Sequence, residues 1–178
     1  MKPQTKTRFP YDRELRFALV FLFIFCILQF AYQASRGGLL EHLVIDVATV
    51  YPSTALINFI DPANHAVASG QRILSPGGSL SILNGCEGTE TLFLLAAAIA
   101  AFRASWLNKL KGLLLGTGLV YCLNQARIVV LFFAAQENRH WFEMIHGYIA
   151  PSLIIVLGSL FFLWWANATT DDESAHAA

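Results

Sequence analysis

Three residues whose side chains can do chemistry stand far apart in an otherwise apolar sequence: Cys86, Arg127 and His146. A thiolate is a strong nucleophile, and histidine commonly acts as the general base that takes a proton from such a group. A fixed guanidinium stabilises the charge of a thiolate or an oxyanion, most effectively where water is excluded. These three residue types would together support nucleophilic attack on a carbonyl, provided that the fold brings them to one place.

Arg127 is the strongest single indication of function. It lies within a long apolar run, and a basic side chain inside a membrane helix costs several kcal/mol unless it is paired or functional. Asn124 lies three residues earlier, on the same helical face, and is expected to orient Arg127 or to donate its own hydrogen bond. The competing interpretation is a structural ion pair between Arg127 and Glu90 or another carboxylate.

Cys86 occurs in the segment Asn84-Gly-Cys-Glu-Gly-Thr-Glu90, where a Gly-rich stretch leads into an apolar run, and Asn84 is predicted to support the site. A helix N-terminus and a nearby cation both lower the pKa of a thiol. Glu90 follows Cys86 by four residues, which predicts a shared helix face and a role in orienting His146 or pairing with Arg127.

Two other histidines and two other cysteines compete for these roles. His65 and His140 are alternative general bases, whereas Cys26 and Cys122 lie in apolar runs and are expected to pack as small hydrophobic residues. No Cys and His pair has metal-ligand spacing, so we predict neither a metal site nor a cofactor.

The composition indicates which kind of fold must position these residues. Of 178 residues, 56% are hydrophobic and 13% are charged, whereas soluble domains carry about 25% charged residues. A formal net charge of zero argues against a nucleic-acid binder. The apolar runs predict an all-α integral membrane protein, with residues 1–178 in one membrane domain. It would have about four transmembrane helices, at about 17–34, 88–106, 112–135 and 144–166.

The segment 35–87 between the first two predicted spans is expected outside the cytoplasm. It contains an apolar run, 43–60, that Pro52 should interrupt, so we expect this run to be an amphipathic helical segment that lies on the membrane surface or packs within the protein. A short β-hairpin is predicted around the turn at 76–78.

The distribution of Lys and Arg supports this topology, because positively charged loops stay in the cytoplasm. Five basic residues precede the first span and three follow the second: Lys2, Lys6, Arg8, Arg13 and Arg16, then Arg103, Lys109 and Lys111. Both termini are therefore predicted in the cytoplasm. Cys86 and His146 then lie at the outer ends of their spans. Arg127 lies about 22 Å from Gly112 along the third predicted span, which runs outward.

The three motifs in this order resemble the exosortase/archaeosortase family. They are Asn84-Gly-Cys-Glu-Gly-Thr-Glu90, then Asn124-Gln-Ala-Arg127, then His146-Gly147, and the resemblance spans about 43–166. It implies that Cys86, Arg127 and His146 are catalytic residues of a membrane-embedded cysteine protease or transpeptidase in the bacterial inner membrane, with its active site on the periplasmic side. Glu87 stands where many members have Ser. The small number of spans resembles the compact members, such as the exosortase H type.

The resemblance also implies the partners of this protein. Its substrates would be membrane-anchored surface proteins with a C-terminal sorting signal of the PEP-CTERM kind: a short motif, one transmembrane helix and a basic end. Two alternatives from other classes remain: a non-catalytic membrane subunit or small transporter, and a thiol-dependent membrane acyltransferase. Transport usually needs polar residues near the midplane and on both sides, whereas here they gather on one side.

Overall fold

The computed structural model describes residues 11–83 and 85–176, in a mainly helical chain. The seven α-helices and three strands are, in chain order, α1 (Tyr11–Ala34), α2 (Leu39–His42), α3 (Tyr51–Ile60), β1 (Val67–Ser69), β2 (Arg72–Ser75), β3 (Gly78–Ser81), α4 (Thr89–Ala101), α5 (Trp106–Glu137), α6 (Arg139–Met144) and α7 (Ala150–His176). Two π-helical segments, Leu43–Val50 and Ile145–Ile149, join α2 to α3 and α6 to α7. Lys2, Lys6 and Arg8 of the basic N-terminus, like Asn84, lie outside the described residues.

Four helical stretches of the described chain are long and apolar enough to cross a membrane: Arg13–Ala34, Leu39–Ile60, Trp106–Glu137 and Arg139–Thr170. This set differs from the predicted spans in one place, since it includes Leu39–Ile60 and omits α4. Helix α4 has 13 residues and is therefore only about 20 Å long. The predicted architecture of an all-α membrane protein is confirmed: the described chain has four candidate membrane-spanning helices and a small sheet.

Helices α1, α4, α5 and α7 pack as an antiparallel bundle with two distinct ends. At one end, Tyr32 near the end of α1 meets Phe93 near the start of α4, with ring centroids 5.7 Å apart. At the other end, Trp165 of α7 donates a hydrogen bond to the carbonyl of Asn108 in α5 at 3.1 Å and packs against Phe102 after α4. We call these the Cys86 end and the Trp165 end.

Several predicted boundaries are wrong because capping residues at the turns were overlooked. Helix α4 ends at Ala101 rather than Trp106, and α5 begins directly after Ser105, whose hydroxyl accepts the Asn108 backbone N–H. The loop expected at 136–143 is instead a single non-helical residue, Asn138, whose side chain accepts the N–H of His140 and so starts α6.

The helical stretch Leu39–Ile60, which we call the Pro52 helix, runs continuously past Pro52, contrary to the expectation that this proline interrupts it. The segment before Pro52 is π-helical, since the Tyr51 N–H donates to the carbonyl of Asp46 five residues earlier, and Pro52 brings no N–H to the turn that follows. Gln125 of α5 supplies a donor at this turn, since its Nε2 donates to Ala48 O at 3.0 Å. Its Oε1 accepts from the Ser53 hydroxyl at 2.5 Å. A side chain from another helix therefore bonds to groups on both sides of Pro52.

The predicted hairpin is present in β2 and β3, and β1 adds a third strand that the sequence analysis missed. The three strands form an antiparallel sheet in the order β1-β2-β3, with Ile73 opposite Leu80. Side chains from the Pro52 helix, the sheet and α5 share one buried core, exemplified by Ile57, Ile73 and Phe132. Cys86 packs against this core, which lies at the Cys86 end of the bundle.

Candidate active site

Cys86 lies in a turn between β3 and α4. Its backbone N–H donates to the carbonyl of Leu83 at 2.9 Å, and its side chain is partly buried against the core at the Cys86 end. Helix α4 begins at Thr89, three residues later, so the prediction that Cys86 and Glu90 share a helix face is wrong. The helix starts late because Gly88 adopts a left-handed conformation with φ of 80°.

Glu87 determines the shape of this turn. The carboxylate is buried, and it accepts hydrogen bonds from the Gly85 N–H at 2.6 Å and from the Thr89 hydroxyl at 2.9 Å. The sequence favours a solvated Glu87, because a carboxylate beside glycines in a polar stretch is typical of an exposed loop, and this prediction is wrong. Its side chain instead forms hydrogen bonds to residues on both sides of Cys86 in the chain.

The turn that contains Cys86 contacts α5 at Asn124. A Cβ atom on Gly88 would lie 2.9 Å from Asn124 Cγ, so the backbone of the turn and the amide are in direct contact. Asn124 is buried. Arg127 lies about 4.5 Å further along α5, at the rise of 1.5 Å per residue. The turn that holds Cys86 and the helix that holds Arg127 therefore meet at one depth.

The Arg127 charge acts on the other two predicted catalytic residues. It lies near enough to both Cys86 and His146 to interact electrostatically with each of them. Two ion pairs occur among the described side chains of residues 13–83 and 85–170, His42–Asp46 and Arg139–Glu143, and Arg127 belongs to neither. The structural ion pair with Glu90 that the sequence left open is therefore not formed there, and Glu90 is exposed.

His146 lies in the π-helical segment Ile145–Ile149. Its ring stacks on Phe142, with centroids 5.4 Å apart and an angle of 5° between the planes. A π-helical turn inserts one residue into a helix and is frequent at functional sites. Here the stacked ring restricts the orientation of the imidazole.

Buried polar atoms without partners concentrate at this place. In the described part of the chain, six side-chain nitrogen or oxygen atoms are buried without a hydrogen bond, and three of them are Asn124 Oδ1, Arg127 Nε and His146 Nδ1. Unpaired buried polar groups are costly, and native structures tend to keep them where function requires them. Their grouping favours a site that binds a polar group of a substrate.

The surroundings of Cys86 act on its thiol in opposite directions. Burial raises the pKa of Cys86 above its usual value, and the Arg127 charge opposes this by favouring the thiolate. The carboxylates of Glu87 and Glu90 add to the increase. The thiol is therefore mainly protonated at neutral pH, and a nearby base is needed to form the nucleophile.

The remaining candidates are placed as follows. Asn84 lies outside the described residues, so its predicted supporting role is not placed. The competitors His65 and His140 are both exposed. Gln125, which the sequence analysis did not single out, is buried beside Asn124 and holds the Pro52 helix against α5.

The class of protein is defined by these features together: a multi-pass membrane helix bundle with a polar Cys, Arg and His grouping at one end. A comparison with protein families agrees, since the sequence model of the family described as transmembrane exosortase matches residues 9–166. The chain therefore belongs to the transmembrane exosortase family. No curated protein and no solved structure matches it.

Proposed function

We propose that this protein is a membrane-embedded cysteine protease or transpeptidase that cleaves C-terminal sorting signals from exported proteins. The observation that carries the proposal is the convergence of Cys86 and His146 on the unpaired charge of Arg127. The substrate class follows from membership of the exosortase family. Its members process proteins that end in a short motif, one transmembrane helix and a basic tail, as in PEP-CTERM proteins.

In the proposed reaction, His146 takes the proton of the Cys86 thiol, and the thiolate attacks the carbonyl carbon of the scissile peptide bond. The oxygen of that carbonyl becomes an oxyanion, which Arg127 stabilises with its fixed charge. The C–N bond then breaks, the proton on His146 passes to the leaving amine, and an acyl thioester remains on Cys86. Water, or an acceptor amine or hydroxyl, attacks the thioester and restores the thiol.

Asn124 is proposed as a positioning residue in this reaction. Its amide touches the backbone of the turn at Gly88, and its Oδ1 is buried near Arg127 without a hydrogen bond. The Oδ1 atom can accept a hydrogen bond from the guanidinium or from a substrate amide. The residue would thereby set the distance between the nucleophile and the charge that stabilises the oxyanion.

We further propose that the Cys86 end faces the periplasm of a bacterial inner membrane and that both termini are cytoplasmic. The basic residues Arg103, Lys109 and Lys111 lie at the Trp165 end, which is the cytoplasmic end by the positive-inside rule.

In this topology the Pro52 helix does not cross the bilayer, although it is long enough to do so. Glu41, near its start, lies close enough to Tyr32 to interact with it electrostatically, and Tyr32 is at the Cys86 end. Asn64, just beyond its other end, accepts a hydrogen bond from Gln136 near the end of α5. Both ends of the helix therefore contact the same end of the bundle.

Detection of the covalent intermediate tests this proposal against the acyltransferase alternative. The protein is isolated with its substrate after rapid denaturation, and the mass added to Cys86 is measured before and after treatment with hydroxylamine. A hydroxylamine-sensitive peptidyl adduct supports the protease or transpeptidase. A fatty-acyl adduct would instead assign the thiol to lipid transfer, and an unmodified Cys86 during turnover would favour the non-catalytic subunit.

A further inference from the structure

One edge of the small sheet presents unpaired backbone groups. Ile82 donates its N–H to the carbonyl of Gln71 at 2.8 Å, and Leu80 lies opposite Ile73. Hydrogen-bonded positions alternate along an antiparallel strand. Leu80 and Ile82 therefore direct their backbone groups toward β2, while Ser79 and Ser81 direct theirs away from the sheet. Because β3 is the last strand in the order, no neighbouring strand of this sheet meets those groups.

This free edge faces a cleft of ≈ 420 Å³ between β3 and the junction of α5 with α6. The strand contributes Ser79 and Ser81, and the opposite wall consists of Ala135, Arg139, Phe142 and Glu143. The cleft therefore combines backbone donors and acceptors on one side with an aromatic ring and a charged pair on the other. Such a combination suits an extended polypeptide, whose main chain can pair with the strand edge.

Each wall of the cleft connects to a proposed catalytic residue. Strand β3 ends five residues before Cys86 in the chain. Phe142, on the opposite wall, stacks directly on the His146 ring. A peptide lying along β3 would consequently run between the element that ends at the nucleophile and the ring that supports the base.

We infer that this cleft binds the extended segment of the protein substrate that adjoins the scissile bond, by adding it as a fourth strand to the edge of β3. The inference rests on the proposed function. Recognition would come from main-chain hydrogen bonds to Ser79 and Ser81, which fix the register. The aromatic and charged wall would then select side chains of the substrate motif.

Photo-crosslinking tests where the substrate lies without depending on turnover. The full chain carries Cys86→Ala, so that the substrate stays uncleaved, and a photoreactive phenylalanine analogue replaces Ser81. The probe is an epitope-tagged host surface protein with the motif, helix and basic tail. The matched control places the same analogue at Ser69, an exposed residue of β1, the strand at the other edge of the sheet. We expect a crosslink from position 81 and none from position 69. No crosslink at position 81, or equal crosslinks at both, would overturn the inference.

A second experiment removes one backbone donor. Ser79→Pro deletes an N–H that points away from the sheet and leaves the β2–β3 ladder intact. The control, Ala68→Pro, deletes the corresponding outward N–H on β1. We expect Ser79→Pro to raise KM for the probe by roughly tenfold with kcat little changed, as for one lost hydrogen bond, and Ala68→Pro to leave KM unaltered. Equal KM values for the two variants contradict β3 pairing. Processing that persists after Cys86→Ala would instead contradict the proposed function.

Discussion

Gly88 and Asn124 are in contact through atoms that leave no room for a side chain. A Cβ atom at Gly88 would lie 2.9 Å from Asn124 Cγ and 3.1 Å from Asn124 Cβ. Gly88 precedes α4 by one residue and follows Cys86 by two, while Asn124 is three residues before Arg127 on α5. This contact therefore sets how closely the thiol approaches the guanidinium.

Substitution of Gly88 should disrupt both the fold and the reaction. Gly88→Ala places a Cβ atom in the left-handed region and against Asn124, and we expect a loss of about 3 kcal/mol or more in stability together with loss of processing. The control is Gly85→Ala, which has a φ of 95° but comes near no atom closer than 3.9 Å. Strain alone should cost about 1 kcal/mol there. Equal melting temperatures of the two variants in detergent would show that the Asn124 contact is unimportant.

Gln125 should matter in part because residue 52 is proline. Gln125→Leu leaves the Ala48 carbonyl without its side-chain donor and the buried Ser53 hydroxyl without its acceptor, and a buried unsatisfied group costs about 1–3 kcal/mol. Adding Pro52→Ala restores a backbone N–H to this turn of the helix, so the double variant should recover part of this stability. Thermal unfolding of the four proteins (wild type, both single variants and the double variant) measures the coupling.

A matched control for the Gln125 contacts is Thr54→Ala. The Thr54 hydroxyl is also buried, but it bonds to the Val50 carbonyl within its own helix at 2.8 Å. Its loss should not depend on Pro52→Ala. If Pro52→Ala does not restore stability to Gln125→Leu, the missing N–H of Pro52 is not the reason for the Gln125 hydrogen bonds.

The reactivity of Cys86 toward an alkylating reagent should rise steeply with pH. Cys86 lies outside the four candidate spans, and burial raises its pKa above the ordinary thiol value of about 8.5. Only the thiolate reacts, so the alkylation rate in a Cys26→Ser, Cys122→Ser background should continue to increase beyond pH 8.5. A rate that levels off below that pH would contradict the buried environment of the thiol.

The two charges beside Cys86 should shift its pKa in opposite directions. Arg127→Gln removes a cation that favours the thiolate, so the pKa obtained from the alkylation profile should rise further. Glu87→Gln removes an anion that disfavours the thiolate, so the pKa should fall. Arg72→Gln, an exposed substitution on β2, serves as the control and should leave the profile unchanged. Shifts of the same sign for both variants would show that these charges do not act directly on the thiol.

The sequence predicts the helices better than it predicts their ends. Apolar runs determine where long helices form, but each turn depends on a local cap such as Ser105 or Asn138 that a hydropathy pattern does not register. The continuity of the Pro52 helix was not predictable for a different reason. The turn at Pro52 is bonded by Gln125, a residue 73 positions away in the sequence, whose amide donates to the Ala48 carbonyl.

The catalytic roles of Cys86, Arg127 and His146 and their depth in the membrane stay predictions, and the local geometry around them was not predicted. Periodicity and charge placed Cys86, Arg127 and His146 at one end of the bundle. The buried role of Glu87 was missed because its partners are Gly85 and Thr89, whose backbone conformations only the folded turn defines. The stacking of Phe142 on His146 was likewise missed, because helix spacing allows the contact without requiring it.

The central claim is that Cys86 is the nucleophile that processes sorting signals. The most direct measurement replaces Cys86 with Ala in the host and follows, by mass spectrometry, a surface protein that ends in a motif, a helix and a basic tail. Cys122→Ala, which removes an exposed free thiol of α5, is the control. The account predicts that the tail stays attached in Cys86→Ala and is removed in Cys122→Ala. Normal removal of the tail in a Cys86→Ala strain that contains the protein at its usual level would contradict it.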